Sequence, residues 1–331
     1  MRQILKYIVH NVVCSALLGC RLDLLLQSRS KNKRLIIMYH GVRSGANKIN
    51  GRHVTASMFE RQLRHFKKRF DIVSLTDLCE MKIKNIVPKN PTIALTFDDG
   101  FLNNLTVALP LLEKHQIPAT FFICTAGITD PQYAHPTDRI DLIRVAPKPE
   151  EILIGEETFR RDGHRVIDKN GRHAYDYLNS LTYEKWLNVN RDLAGEIDEP
   201  TLAENKELYQ LMHDADVIAL RKNYFVKAAS HSHHHISLSM LTPAETLYQL
   251  SESKRILGAY GPVDSLAFPY GSYTDKTIAA AKEAGYKYLI AGGHVDPPYE
   301  KDVFPRIGVL DGAGLSYTML MISNGFKRFG F

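Results

Sequence analysis

Residues 92–100, TIALTFDDG, place two adjacent aspartates directly after a short and almost entirely apolar run. Such a run predicts a strand that is buried on both faces of a parallel sheet. Ligands and catalytic bases of α/β proteins collect where parallel strands end, so Asp98 and Asp99 are candidate functional residues. Asp-Gly is also a common turn sequence, which leaves a purely structural explanation open at this point.

The sequence on both sides of this stretch alternates between short apolar runs and segments of helical periodicity. Further strands are predicted at 34–40, 72–75, 119–123, 265–268 and 286–291. Helices are predicted at 55–70, from Thr242 to about residue 258, and at 275–284. This alternation indicates an α/β fold with a parallel sheet. It fails between about 130 and 225, where we expect an insertion or extended lid region that is helical in places.

The charge of the chain is concentrated at one end. The protein has 42 Lys+Arg and 36 Asp+Glu in 331 residues, a formal net charge of +6. Residues 1–34 hold seven basic residues and one acidic residue, so the rest of the chain is neutral. A neutral body argues against a nucleic-acid-binding protein. Four cysteines without a Cys-x-x-Cys pair indicate neither a disulfide framework nor a zinc knuckle.

Residues 1–34 are predicted to form a basic amphipathic helix and linker ahead of a single domain at 35–331. This helix could contact an anionic membrane surface or pack against the protein's own core. A third interpretation is export as a lipoprotein anchored at Cys20. The basic residues at 29–34 favour retention in the cytoplasm, so we expect a cytoplasmic protein with peripheral contact at the inner face of the membrane.

Residues 230–235, SHSHHH, are the most unusual local feature of the chain. His231 and His235 stand four residues apart, a spacing that lets two imidazoles bind one cation. An exposed polar loop is the alternative explanation of the cluster alone. One aspartate of the Asp98-Asp99 pair and these two histidines would make three ligands, and the second aspartate would remain free as a base. That combination is typical of a metal-dependent hydrolase.

Three motifs together resemble the polysaccharide deacetylases, the NodB-homology or carbohydrate esterase family 4 group. LTFDDG at 95–100 is similar to the first family motif, SHSHHH at 230–235 to the second, and FPYG at 268–271 to the third. PATFF at 118–122 matches the strand after the first motif. The resemblance covers roughly 35–310. It implies a distorted (β/α) barrel of about seven strands, with the helical insertion between the first and second motifs.

The resemblance also implies roles for individual residues. Asp99, His231 and His235 would bind the metal, usually zinc, and Asp98 would be the general base. The backbone N–H of Tyr270 would help to stabilise the oxyanion of a tetrahedral intermediate.

Two positions depart from the family pattern. Ala267 stands where the family often has an arginine that orients the base, and we expect Arg306 to supply the missing guanidinium, unless it is a surface residue at a strand start. The C-terminal Leu-x-His motif, the usual source of the general acid, has no good match. In the branch resembling exopolysaccharide N-deacetylases, a Tyr-His pair on the first strand takes that place. Tyr39-His40 matches this pair, so we predict that His40 is the general acid. Capping of a strand is the alternative role for His40.

The expected activity is metal-dependent hydrolysis of N-acetyl groups from an N-acetylated amino sugar, in a polysaccharide or a lipid-linked glycan. The same residues could instead cleave an O-acetyl ester or a cyclic amide. A third hypothesis is a glycan-binding barrel that has lost catalysis, which Ala267 and the missing Leu-x-His motif favour.

Overall fold

The computed structural model of the protein describes residues 34–47, 49–147, 150–292, 303–311 and 318. The predicted amphipathic helix of residues 1–34, with Cys20, lies outside these ranges except for Arg34. Among the residues described, no helix is both long enough and apolar enough to cross a lipid bilayer. The division of the chain at residue 34 stays a prediction.

Strands and helices alternate along most of the described chain. The strands are β1 (Arg34–Tyr39), β2 (Gly41–Arg43), β3 (His53–Thr55), β4 (Asp71–Ile72), β5 (Thr92–Phe97), β6 (Ala119–Ile123), β7 (Glu151–Ile154), β8 (Glu157–Asp162), β9 (Arg165–Asp168), β10 (Val226–Ser230), β11 (Ser265–Ala267), β12 (Tyr288–Gly292) and β13 (Val303–Gly308). The helices are α1 (Ala56–Arg69), α2 (Leu75–Ile83), α3 (Leu109–His115), α4 (Ala126–Thr129), α5 (Pro136–Val145), α6 (Ala174–Leu178), α7 (Tyr183–Gly195), α8 (Glu199–Tyr209), α9 (Asp214–Arg221), α10 (Pro243–Gly258) and α11 (Asp275–Glu283).

The predicted starts of two helices agree with their capping side chains. The Thr55 side chain accepts a hydrogen bond from the backbone N–H of Met58 at the start of α1. Thr242 and Glu245 form the predicted capping box at the start of α10. Both signals are local, and each satisfies backbone donors that the first turn of a helix leaves unpaired.

Seven of the eight strands in the main sheet form a closed parallel barrel. Their order around the ring is β1, β13, β12, β11, β10, β6 and β5, and the pairing of β5 with β1 closes it. The closing ladder runs from Arg34 opposite Thr92 to Tyr39 opposite Phe97. The predicted distorted (β/α) barrel of about seven strands is therefore confirmed.

The interior of the barrel is filled by apolar side chains from every ring strand. They include Ile36, Ala94, Phe122, Ala229, Ala267, Ile290 and Phe304. Helix α2 adds Leu75 and Cys79 to the same buried cluster. Arg34, at the start of β1, donates hydrogen bonds to the carbonyl oxygens of Met81 and Ile86. Helix α2 thus covers the N-terminal end of the barrel, and the C-terminal end is left for a functional site.

The chain between β6 and β10 forms helices α4 to α9 and a separate antiparallel sheet. In this sheet β8 pairs with both β7 and β9. The sequence predicted helices in this insertion but not the sheet. A local signal was present, because Ile152 and Ile154 alternate with exposed residues and Gly163, with φ of 58°, lies in the turn between β8 and β9.

Candidate active site

The residues that the sequence singled out meet at the C-terminal end of the barrel, because parallel strands all point their carboxyl ends the same way. Asp98 and Asp99 follow β5, His40 follows β1, and Arg306 lies within β13. His231 and His235 follow β10, and Tyr270 lies in a short helical turn, Pro269–Gly271, after β11. Five strands of the barrel thus contribute side chains to one small region.

Asp98 and Arg306 form a buried bidentate pair. The Arg306 Nη1 and Nη2 atoms donate to Asp98 Oδ1 and Oδ2, each at 2.6 Å. Arg306 is 2% exposed and Asp98 3% exposed, so Arg306 is not a surface arginine. Burial by itself would raise the pKa of Asp98, but Arg306 and His231 hold it below its ordinary value. Asp98 is therefore an ionised carboxylate in a fixed orientation.

Asp99, His231 and His235 bring three metal-binding atoms within 4.8 Å of one another. Asp99 Oδ1 lies 3.5 Å from His231 Nε2 and 3.3 Å from His235 Nε2. His231 Nδ1 lies 2.8 Å from the carbonyl oxygen of Ala267. An N–H on Nδ1 donates there, which leaves the Nε2 lone pair facing Asp99.

The donor set fits a divalent cation. Both carboxylate oxygens of Asp99 are buried and have no hydrogen-bond partner within the described residues. Buried carboxylate oxygens are costly unless they are paired or bound to metal. Burial would raise the pKa of Asp99, but His235 and His231 hold it well below its ordinary value, so the carboxylate is ionised. One carboxylate and two imidazoles are ligands that Zn²⁺ prefers.

The backbone turns sharply at the two aspartates. Asp99 and Gly100 have φ of 73° and 78°, both in the left-handed region that aspartate tolerates and glycine favours. A Cβ at Gly100 would lie 3.2 Å from the Cα of Ile123, at the end of the neighbouring strand. The Asp-Gly sequence therefore forms a turn, and this turn also sets the direction of the Asp99 side chain. Backbone conformations of this kind are concentrated at functional sites.

His40 lies at the end of β1 near both aspartates. Burial lowers the pKa of His40 below its ordinary value, although Asp99 and Asp98 oppose this shift. Its Nδ1 is buried and has no hydrogen-bond partner in the described part of the chain. The imidazole is therefore neutral near pH 7, and Nδ1 forms no capping hydrogen bond.

Tyr270 lies beside the histidines in a strained conformation. Its φ of 58° and ψ of 6° are left-handed, and its side chain is 42% exposed. The ring centroid is 4.5 Å from that of His235, and its hydroxyl donates to the His235 carbonyl oxygen at 3.4 Å. Tyr270 thus borders the three potential ligands on the solvent side.

The other two histidines of the cluster do not join this group. His233 Nδ1 lies 2.9 Å from the Thr125 hydroxyl. His234 Nδ1 lies 3.1 Å from the Tyr183 hydroxyl and 3.2 Å from Gln249 Nε2. These contacts hold the loop to its surroundings, so only half of the histidine cluster is available for chemistry.

Several polar residues around the site were not predicted from the sequence, because they come from distant segments of the chain. Arg52 Nη1 lies 3.8 Å from Asp99 Oδ2. Arg52 also pairs with Asp138 and Asp141 of α5. His135 Nε2 lies 3.2 Å from the Asp99 carbonyl oxygen. Polar side chains at the start of a helix are usually exposed, so the burial of those at the start of α5 could not be predicted from the sequence.

Comparison with known proteins finds sequence relatives of the part of the chain that includes β5, β6, β10 and β11. A sequence model described as polysaccharide deacetylase matches residues 85–289. The chain is 25% identical over 205 residues to the poly-β-1,6-N-acetyl-D-glucosamine N-deacetylase of Staphylococcus aureus. The aligned region covers 58% of this chain and 70% of that protein.

Two solved structures have the same fold. Streptococcus pyogenes deacetylase PplD, in complex with acetate, is 17% identical with a TM-score of 0.54, covering 88% of this chain and 98% of that one. IcaB from Ammonifex degensii is 14% identical with a TM-score of 0.55, covering 87% and 96%. Since the family match spans more than half of the chain and includes Asp98, Asp99, His231 and His235, this protein belongs to the polysaccharide deacetylase family.

Proposed function

We propose that this protein is a metal-dependent hydrolase that removes N-acetyl groups from an N-acetylated amino sugar, in a polysaccharide or a lipid-linked glycan. The observation that carries the proposal is the buried Asp98–Arg306 pair beside the Asp99, His231 and His235 group. The Staphylococcus aureus relative, named for poly-β-1,6-N-acetyl-D-glucosamine, supports an N-acetylated glycan as substrate.

Asp99, His231 and His235 would hold the metal, which we propose to be Zn²⁺. When bound, such a cation would act as a Lewis acid toward the amide carbonyl and lower the pKa of a water molecule. The oxygens of Asp99 are buried and accept no hydrogen bond from the residues that the structure describes, which supports this assignment.

Asp98 would accept the proton of the attacking water. The paired Arg306 keeps Asp98 ionised near pH 7 and restricts its rotation, both of which a general base requires. The same pairing lowers the basicity of Asp98, so it can deprotonate only a water whose own pKa has been lowered.

His40 would protonate the leaving amine, and the backbone N–H of Tyr270 would donate to the oxyanion. Because burial lowers its pKa, His40 would be neutral at rest and would carry the proton only during turnover. The left-handed backbone at Tyr270, next to His235, supports a specialised backbone role at this position.

The Asp98→Asn variant tests the base. It keeps the side-chain volume, and we expect acetate release from β-1,6-linked N-acetylglucosamine oligomers to fall about 10²–10⁴-fold, with Zn²⁺ binding retained. Asp168→Asn is the matched control, because Asp168 is also buried and paired with an arginine, Arg172, but lies in β9 of the insertion. Wild-type rates in Asp98→Asn would refute the assignment. Faster release from O-acetylated than from N-acetylated sugars would identify an esterase instead.

A further inference from the structure

A short segment of the insertion, residues 133–138, contacts the backbone of two proposed metal ligands, Asp99 and His235, and also holds Arg52, which lies beside Asp99. We infer that this segment and Arg52 form an outer-sphere scaffold that positions Asp99 and His235 and thereby sets the affinity of the metal site. This inference rests on the metal site of the proposed function. It gives the insertion a role in the chemistry of the barrel.

The two oxygens of the Asp99 carboxylate face different partners. Oδ1 faces the Nε2 atoms of His231 and His235, at 3.5 and 3.3 Å. Oδ2 faces Arg52 Nη1, at 3.8 Å. A carboxylate with one oxygen turned to a guanidinium presents the other oxygen to the ligand group. Arg52 therefore leaves Oδ1 as the Asp99 oxygen that would be available to a cation.

Arg52 is itself held in place by two acids of α5. Its Nη2 donates to Asp138 Oδ1 and to Asp141 Oδ2, the latter at 3.0 Å. The side chains of Asp138 and Asp141 are 0% and 7% exposed. Because the guanidinium is planar and rigid, anchoring Nη2 at two buried carboxylates also directs Nη1.

The same segment contacts the backbone of two ligand residues. His135 Nε2 lies 3.2 Å from the carbonyl oxygen of Asp99. The Tyr133 hydroxyl accepts a hydrogen bond from the backbone N–H of His235 at 3.3 Å. Both contacts act on residues whose side chains point at the proposed cation. Outer-sphere partners of this kind orient metal ligands and influence metal affinity.

Stability alone does not account for this arrangement. Two buried carboxylates share one guanidinium, and Asp138 Oδ2 is buried with no hydrogen-bond partner in the part of the chain that the structure describes. Burial raises the pKa of Asp138 to about 8, and burying ionisable groups costs free energy that apolar side chains of similar volume would not cost. A role in orienting Asp99 supplies a reason for these residue types.

The experiment measures the Kd of Zn²⁺ for the metal-stripped full-length protein, by competition with a chromophoric chelator. Arg52→Met removes the guanidinium, and Arg52→Lys keeps the charge without the planar fork. Both are expected to weaken Zn²⁺ binding about 10–100-fold. Arg139→Met is the matched control, with Zn²⁺ affinity unchanged. Arg139 lies in α5 and is 7% exposed, but it donates to the carbonyl oxygens of Asn190 and Gln132.

A folded Arg52→Met variant whose Kd for Zn²⁺ is within twofold of the wild-type value overturns the inference. A wild-type Kd in Arg52→Lys would show that the planar guanidinium is not needed to position Asp99. If Arg52→Met does not fold, the isosteric Asp138→Asn decides, with about 10-fold weaker binding expected and unchanged binding refuting the inference. A wild-type protein that binds no Zn²⁺ refutes the proposed metal site as well, so the two failures are distinguishable.

Discussion

Replacing Arg306 by methionine tests the electrostatic core of the site. Both guanidinium Nη atoms lie 2.6 Å from Asp98, and neither side chain is more than 4% exposed. Methionine fills much of the space but leaves the Asp98 carboxylate buried without its counter-charge. Removing one partner of a buried ion pair costs about 3–5 kcal/mol in the free energy of unfolding, and we expect a loss in that range.

The double variant Asp98→Asn/Arg306→Met separates loss of the pair from loss of packing. With the carboxylate neutralised, no buried charge is left uncompensated, so the double variant is expected to be more stable than Arg306→Met alone. Arg255→Met is a surface control, since Arg255 forms a similar bidentate pair with Glu252 in solvent. We expect no measurable change in its stability.

The difference between wild type and Arg306→Met also depends on pH. In the folded wild type the pKa of Asp98 is below its ordinary value, so the pair stabilises the fold above about pH 4, the unfolded pKa. That contribution is lost as the pH falls through the folded pKa. The stability difference should therefore be largest near neutral pH and shrink in acid.

The assay is urea unfolding of the metal-free protein, followed by far-ultraviolet circular dichroism at pH 7 and at about pH 3, below the ordinary pKa of an aspartate. A folded Arg306→Met variant that loses less than about 1 kcal/mol at pH 7 would refute the reasoning, because this is the range of an exposed pair. A double variant no more stable than Arg306→Met would show that the loss comes from packing and not from charge.

Three further outcomes are expected. Gly271→Ala should lower the free energy of unfolding by more than about 1 kcal/mol, because φ is 65° and the new Cβ would lie 1.9 Å from a backbone oxygen. Gly163 also has a positive φ, of 58°, but a Cβ there would have no neighbour within 4 Å. Thermal unfolding should therefore show a smaller loss of stability for Gly163→Ala. Burial raises the pKa of Cys79 to about 12 and that of Cys124 well above its ordinary value, so mass spectrometry should detect their alkylation by iodoacetamide only after urea is added. Deleting residues 1–30 should abolish co-sedimentation with anionic vesicles and spare acetate release, and unfolding of the truncated protein would assign the segment to the core.

The α/β fold with a parallel sheet could be predicted because its signals are local, whereas the closed barrel was implied by the family resemblance. Most strands of the barrel are short apolar runs, and the helices between them have their own periodicity and caps, as at Thr242 and Glu245. β10 and β13 contain charged residues and were not predicted. The antiparallel sheet of the insertion was missed because its strands are short and half-exposed, which makes them hard to distinguish from charged loops.

The sequence by itself determined that Asp98 and Asp99 follow a buried strand of a parallel sheet, because the signal of that strand is local. No strand was predicted before His231 and His235, so the expectation that the two histidines join the aspartates came from their ligand chemistry and from the family resemblance. Only the tertiary structure decided which side chains surround them. Arg306 and Asp98 are 208 residues apart in the sequence, and Asp138 and Arg52 are 86 residues apart. Such pairings depend on how the barrel closes and on where the insertion packs against it, and no local periodicity carries that information.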